Sequence, residues 1–265
     1  MSSKITLVTG AAHGIGRSIT DLLLSKGDVV IPTDVNSKEL FNFQKHENAF
    51  PIPMDVTNEK NILNAVDQVK NTFNRIDCII NNAGIFFGGP LVEIELGDFE
   101  EIFNINVLGY VRVTKLFFPL LHKESRIVNI SSEVGRIAYP FNGPYTMTKY
   151  AIEAFSDALR RELTYLGMKT IVIQPGSIKT QISEETIKCY KKYCENSQFE
   201  DQITRVRNVL IKEGYADPGL VANVVYKAIH CKHPRNRYKV ENNRARRILE
   251  YLPNRWVDFI IKKVM

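Results

Sequence analysis

The 265-residue sequence has only four cysteines, at 78, 189, 194 and 231, with no C-x-x-C pair and no histidine at ligand spacing. This excludes a zinc ribbon and a dense disulfide framework; no metal is expected, and a reducing compartment is the easier setting. Cys189 and Cys194, five apart in a polar stretch, read as incidental thiols. Long apolar runs are also missing. The most apolar stretch, 108–121, is broken by Arg112, Lys115 and Pro119, well short of the roughly 18 uncharged residues of a spanning helix. The opening residues 1–9 already read as a strand, which leaves no room for a signal peptide, so a cytoplasmic location is expected. With 15 Gly, 11 Pro and no internal repeat, collagen-like and low-complexity classes fall away. What the chain does have is 44% hydrophobic residues, with 14 Phe and 11 Tyr, enough for a large core and too much for disorder.

Charge is unevenly placed. Residues 1–178 carry 17 Lys/Arg against 19 Asp/Glu, whereas residues 179–265 carry 18 against 10. The basic balance thus belongs to the last third. No linker marks a boundary, so one domain over 1–265 is expected, with a lid over about 183–215 and a basic C-terminal extension over about 241–265.

β-Branched runs alternate with helical periodicity. Strands are predicted at 5–8, 29–32, 49–54, 76–80, 126–130 and 170–173, and an added one at 237–240. Helices are predicted at 15–25, 37–45, 58–73, 98–119, 143–167, 184–213 (one or two) and 217–231. Short apolar strands separated by helices imply an α/β fold: a doubly wound parallel sheet of Rossmann type, covered on both faces. In such a sheet ligands bind outside the carboxyl ends of the strands, where this sequence collects its polar and glycine-rich residues.

Between the first strand and first helix runs Thr9-Gly10-Ala11-Ala12-His13-Gly14-Ile15-Gly16. Glycines permit positive φ and a close backbone approach, and the following helix offers free N–H groups and a positive dipole end to a pyrophosphate. The G-x-x-x-G-x-G spacing differs from the usual dinucleotide fingerprint, and a tight turn alone would need glycine too. Asp34, 18 residues beyond Gly16, strengthens the nucleotide reading: an acid there accepts from an adenosine ribose and repels a 2′-phosphate. Its competing role is a cap for a helix at 37–40.

Tyr145 and Lys149 are four apart near a helix start, on one face. A phenol is a poor base at neutral pH, and a neighbouring ammonium favours its ionised form; a downward shift of about 3 units requires about 4 kcal/mol. Ser132, thirteen residues earlier, follows the fifth strand and could hold a substrate oxygen beside Tyr145. Asn106 is a polar residue inside an apolar helix, where a side-chain bond to backbone is its ordinary use.

Taken in order, these motifs resemble the short-chain dehydrogenase/reductase family of about 250 residues. The matching residues are T-G-x-x-x-G-x-G at 9–16, N-N-A-G at 81–84, the Ser132, Tyr145 and Lys149 set, and Pro175-Gly176 with Thr180. The stretch from Gly143 to Leu163 is similar to members acting on hydroxysteroids, retinol and 3-hydroxybutyrate. The resemblance implies a nicotinamide-dependent alcohol dehydrogenase or ketone reductase acting on a small-molecule secondary alcohol or ketone, apolar and steroid-, retinoid- or hydroxy-acid-like. It makes Tyr145 the general acid/base, with Lys149 lowering its pKa and holding the nicotinamide ribose. Ser132 would orient the substrate oxygen, and Asn106 would hold a water linking Lys149 to solvent. Gly10, His13, Gly14, Ile15, Gly16, Asp34, Asp55, Val56, Asn82, Ala83, Gly84, Pro175, Gly176, Ile178 and Thr180 would contact the cofactor together with Tyr145 and Lys149. NAD is expected over NADP because of Asp34, although His13 stands where NADP-preferring members often have Arg or Lys. A homodimer or homotetramer is expected. The alternatives are a sugar-nucleotide epimerase or dehydratase on the same scaffold, or a cofactor-sensing protein without turnover.

Phe86, Phe87, Val134, Tyr139 and Phe141 follow the motif strands as candidate substrate contacts, of which about half are expected to serve. His122, His230 and His233 are expected to be exposed. In the tail, Arg244, Arg246 and Arg247 precede 248–263, where Trp256, Phe259 and Ile260 form an apolar stripe edged by Lys262 and Lys263. That stripe is expected to dock on the protein itself or on a second subunit. Contact with a membrane surface is the less favoured reading, and no nucleic acid is expected.

Overall fold

The computed structural model describes residues 3–194, 197–243 and 248–264. Seven strands, β1 (Ile5–Thr9), β2 (Val29–Asp34), β3 (Ile52–Pro53), β4 (Ile76–Asn81), β5 (Leu121–Ile130), β6 (Lys169–Pro175) and β7 (Arg237–Val240), form one sheet. Its order is β3-β2-β1-β4-β5-β6-β7, with every neighbouring pair parallel. All strands therefore end on one edge. The order reverses between β1 and β4, which opens a crevice at that edge.

The alternation of side chains explains why both faces are covered. Val8, Val30, Ile80, Val128 and Ile173 point to one face, where α1 (Gly14–Ser25) and α9 (Pro218–His230) pack on them through Ile19, Leu23, Val221 and Val225. Leu7, Ile31 and Ile79, one residue out of step, point to the other, against α3 (Glu59–Phe73) and α5 (Gly109–Phe117) through Ile62, Val69, Val113 and Phe117. Period-2 strands buried on both sides must read as unbroken apolar runs. The remaining helices are α2 (Ser37–Leu40), α4 (Leu96–Phe103), α6 (Gly143–Leu163), α7 (Gln181–Cys194), α8 (Glu200–Glu213) and α10 (Asn254–Val264).

Several elements differ from their sequence-based expectation. The strand expected over 49–54 shrinks to β3, because Pro51 and Pro53 have no N–H to donate and confine pairing to the sheet edge. β5 starts five residues early, with a register break between the Ile76 and Cys78 pairings and Glu124 at φ 79°. The helix expected over 98–119 begins at Leu96, widens into a π turn at Asn104–Leu108 and ends in a 3₁₀ turn holding Pro119. Residues 184–213 form the two helices α7 and α8. The side chain of Cys194 and the three arginines at 244, 246 and 247 lie outside the described residues.

Two of the three histidines expected at the surface have partners. The His230 side chain is 5% exposed, with its Nε2 2.7 Å from Asp28 Oδ2; the other Asp28 oxygen accepts from the Lys4 N–H at 2.9 Å. This ties the end of α9 to the start of the sheet. His122 Nε2 lies 2.8 Å from Asp77 Oδ1. His122 and His233 are exposed as expected, and His230 is the one that is not.

Ile229, fully buried in the α1–α9 face, should cost about 2–5 kcal/mol of unfolding free energy when cut to Ala. Leu220→Ala on the exposed side of the same helix should change it by about 0.5 kcal/mol or less. Urea unfolding of both variants measures the contrast.

Candidate active site

The end of β1 is tied to the end of β4 by a small polar knot. The Thr9 hydroxyl accepts from the N–H groups of Asn82 (3.0 Å) and Ala83 (3.1 Å), and the Asn82 carboxamide donates to the carbonyls of Thr9 (3.0 Å) and Gly10 (3.1 Å). One residue earlier, the buried Asn81 donates to Thr114 Oγ1 (3.1 Å) and Asn129 Oδ1 (2.9 Å), and Asn129 donates to Ser156 in α6. The knot leaves no room for a side chain at Gly10 or Gly16. A Cβ on Gly16 would sit 2.1 Å from the Gly10 carbonyl oxygen, and Gly10 itself has φ +65°.

Beyond this knot a cavity of about 280 Å³ is lined by Gly10, His13, Gly14, Ile15, Asp34, Asp55, Val56, Asn82, Ala83, Gly84 and Thr180. His13 occupies the N-cap of α1 without a side-chain bond, and the first turn holds no acid. The positive end of a twelve-residue helix thus opens onto the cavity uncompensated, a favourable setting for a pyrophosphate. Asp34 does not cap α2; Asn36 does, accepting from the Glu39 N–H. Asp34 instead accepts from the Ala12 N–H at 3.0 Å and the Asn36 N–H at 2.9 Å, which turns the carboxylate toward the glycine loop. Asp55 closes a turn onto Thr57, and Val56 packs beneath Gly109. Glycine loop, uncapped helix and acid fit a dinucleotide.

The second group stands at the ends of β5 and β6. Ser132 is buried, with its hydroxyl 3.5 Å from the Pro175 carbonyl and bonded to the Tyr145 phenol. Gly176 donates to the Val240 carbonyl at 2.8 Å, and a Cβ there would lie 2.2 Å from the Glu241 oxygen. Ile178, also buried, bridges to Ala216. Lys149 is buried one turn beyond Tyr145; its Nζ donates to the Ile130 carbonyl at 3.0 Å and lies 5.4 Å from the Tyr145 ring centre. Asn106 makes the side-chain-to-backbone bonds its apolar setting suggested: it pairs with both backbone groups of Ile85 at 2.9 Å and donates to Thr148 Oγ1 at 3.2 Å. Thr148 in turn donates to the Tyr145 carbonyl, so the π turn fixes the helix that carries the phenol.

The electrostatics differ from the simple neighbour-charge argument. Burial pushes the Tyr145 phenol up to about 12, against which the Ser132 hydrogen bond pulls down. Burial also pulls Lys149 down to about 8, opposed by the charge of Glu153. In the protein alone desolvation outweighs the Ser132 hydrogen bond at Tyr145, a factor the sequence spacing does not carry.

Ser132 and Tyr145 face a second cavity of about 420 Å³, which meets the first at Ile15, Thr180 and Ile182. Of the five proposed apolar contacts, Phe86, Val134 and Tyr139 line it; Phe141 packs on Phe199 and Phe87 lies outside. Sequence reasoning missed the wall supplied from far along the chain: Val206 and Val209 of α8, Leu249, and Ile260 and Ile261 of α10. The amphipathic stripe was visible, but nothing local said where it lands.

A family model described as short chain dehydrogenase matches residues 4–190. Retinol dehydrogenase 7 of Rattus norvegicus is 31% identical over 90% of this chain and 80% of its own length. The mitochondrial D-beta-hydroxybutyrate dehydrogenase of the same species is 31% identical over 89% and 76%. A short-chain dehydrogenase/reductase from Burkholderia phymatum, solved in complex with NAD, superposes with a TM-score of 0.80 at 21% identity, covering 97% of this chain and 95% of that one.

The two shifts predict a pH signature of stability. Between about pH 8 and its unfolded value near 10.5, Lys149 binds its proton more weakly in the folded protein, so the unfolded chain carries more protons there. Its contribution must rise with pH across that window. Tyr145 acts oppositely, but only above its unfolded value near 10. From pH 8 to 10, Lys149→Met should therefore make the slope of unfolding free energy against pH less positive than in the unmodified protein, as read by denaturant titration.

Proposed function

We propose that this chain, which belongs to the short-chain dehydrogenase family, interconverts a secondary alcohol and its ketone, using NAD(H) in preference to NADP(H) on an apolar substrate. The carrying observation is the junction of two cavities, one reaching Asp34 past the glycine loop and the other walled by Ser132 and Tyr145. The chain is a nicotinamide-dependent oxidoreductase; bound nicotinamide supplies the hydride donor or acceptor.

The chain's own residues do the rest. In reduction, the Tyr145 phenol, which keeps its proton at neutral pH, gives it to the carbonyl oxygen as carbon gains a hydride. Ser132 holds that oxygen with a hydrogen bond. In oxidation, Tyr145 takes the hydroxyl proton and must first be ionised, so cationic charge near the ring is required; Lys149 supplies part of it from 5.4 Å. Lys149 and Tyr145 would hold the nicotinamide ribose, and Asn106, bonded to Ile85 and Thr148, stiffens this corner. Asp34 receives the adenosine ribose and repels a 2′-phosphate.

Substrate class rests on the lining. Phe86, Val134, Val206, Val209, Ile260 and Ile261 favour an apolar body, in keeping with the retinol dehydrogenase relative. Arg205 on the same wall favours a second reading, a hydroxy acid like that named for the hydroxybutyrate dehydrogenase relative.

Purified protein assayed with both cofactors on retinoid, steroid, hydroxy-acid and simple secondary alcohols tests the proposal. Tyr145→Phe should lower turnover by about 10²–10⁴-fold with dinucleotide affinity nearly unchanged. Asp34→Ala should reduce the preference for NAD(H) by on the order of tenfold. A wild-type preference for NADP(H) would overturn the role given to Asp34 and make His13 the 2′-phosphate contact. Dinucleotide binding without turnover on any alcohol would favour a sensing protein instead.

A further inference from the structure

The stripe in the C-terminal helix is two surfaces, and only one of them is used by the fold. Ile260 and Ile261 turn inward and line the cavity that holds Ser132 and Tyr145. Trp256, on the flank of α10 beside Ile260, and Phe259, further round from Ile261, stay 60% and 56% exposed. Ile248 and Tyr251, just before the helix, are 62% and 81% exposed. Four large apolar side chains within twelve residues therefore stay in water after the tail has docked. Single exposed apolar residues need no explanation; a cluster of this kind marks a contact surface.

The charges beside the cluster say what it meets. Arg255, Lys262 and Lys263 are exposed on α10, against one exposed acid, Asp258; Lys263 Nζ lies 4.8 Å from the Phe259 ring centre. A second copy of this chain docking through the same face would be self-complementary, bringing these cations toward their own equivalents. An anionic lipid surface meets both demands, since it takes aromatic rings at the headgroup level and attracts lysine and arginine. The eleven residues of α10 are too short to cross a bilayer, and among the described residues no helix is long and apolar enough to do so. A helix of this kind lies flat in the interface.

We propose that α10 seats the protein on an anionic membrane surface through Trp256, Phe259, Tyr251 and Ile248, while Ile260 and Ile261 on its inward side close the substrate cavity. This revises the expectation that the stripe docks as one unit. The seating does not depend on the reaction proposed above. It adds a consequence that does rest on that reading: a lipid-dissolved alcohol would be the natural substrate for a cavity walled by the seated helix.

Trp256 is the only tryptophan in the chain, so its emission reports the event directly. Full-length protein mixed with vesicles containing phosphatidylserine should co-sediment and show a blue shift, whereas phosphatidylcholine vesicles should give at least about tenfold weaker binding. Raised salt should weaken the anionic binding. Lys262→Glu with Lys263→Glu should weaken it by on the order of tenfold or more. Trp256→Ser with Phe259→Ser should abolish it while leaving the melting temperature and dinucleotide binding unchanged. Absence of binding to either vesicle, or undiminished binding by both double variants, would overturn the proposal. So would a fall in oligomer size on sedimentation of the Trp256→Ser, Phe259→Ser protein, since a second copy would then be the occupant. Vesicle binding without turnover on any alcohol would leave the seating in place and fail only the proposed reaction.

Discussion

Where the strand order turns, β1 and β4 lie side by side, and Thr9 and Asn82 bond across them through one hydroxyl and one carboxamide. These groups satisfy backbone N–H and C=O groups that the strands leave unpaired as they part, at a depth where unpaired groups are costly. The loop from Gly10 to Gly16 is folded around them so tightly that a methyl group on Gly16 would collide with backbone. The position of α1, the direction of its dipole and the cavity before it all follow from that closure. Asn81 carries the same constraint sideways, through Asn129 to Ser156, into the helix that bears Tyr145 and Lys149. One polar line thus registers the nucleotide side of the site with its chemical side.

The chemical side depends on burial. A phenol and an ammonium taken out of water both favour their neutral forms, which gives Tyr145 a firmly held proton and makes Lys149 an unusually weak cation. Such a pair is set for delivering a proton to a carbonyl and asks for added positive charge to run in reverse. The Ile130 carbonyl, which accepts from both Lys149 and Tyr110, fixes the ammonium in that setting. Glu153, four residues on and held by Gln174 and Arg237, steadies its charge.

Much of this was legible in the sequence because it is local. Strand ends coincide with polar residues: Asp34, Asn82, Ser132 and Gly176 were found by that rule, and parallel pairing brings them to one edge. Tyr145 and Lys149 were found by helical spacing. Features set by distant partners were not legible. His230 has its partner 202 residues away, and no periodicity announces that an isolated histidine will be buried against Asp28. Apolar residues at 49–54 suggested a full strand, but Pro51 and Pro53 limit the pairing. The tail showed its amphipathic character but not its target, since the split between Ile260 and Trp256 exists only once the cavity is built. The raised Tyr145 phenol of the protein alone was not legible for the same reason: spacing shows the neighbouring charge, while only the folded chain shows the desolvation.

The central claim is that the Thr9–Asn82 closure places one continuous dinucleotide site between Asp34 and Tyr145. A crystal structure of the protein with NAD tests it most directly. The account predicts the adenosine ribose within hydrogen-bond reach of Asp34, the pyrophosphate over the N–H groups that open α1, and the nicotinamide beside Tyr145, Lys149 and Thr180. Density for the dinucleotide elsewhere, or a nicotinamide end turned away from Tyr145 while Ser132 and Tyr145 keep their places, would contradict it.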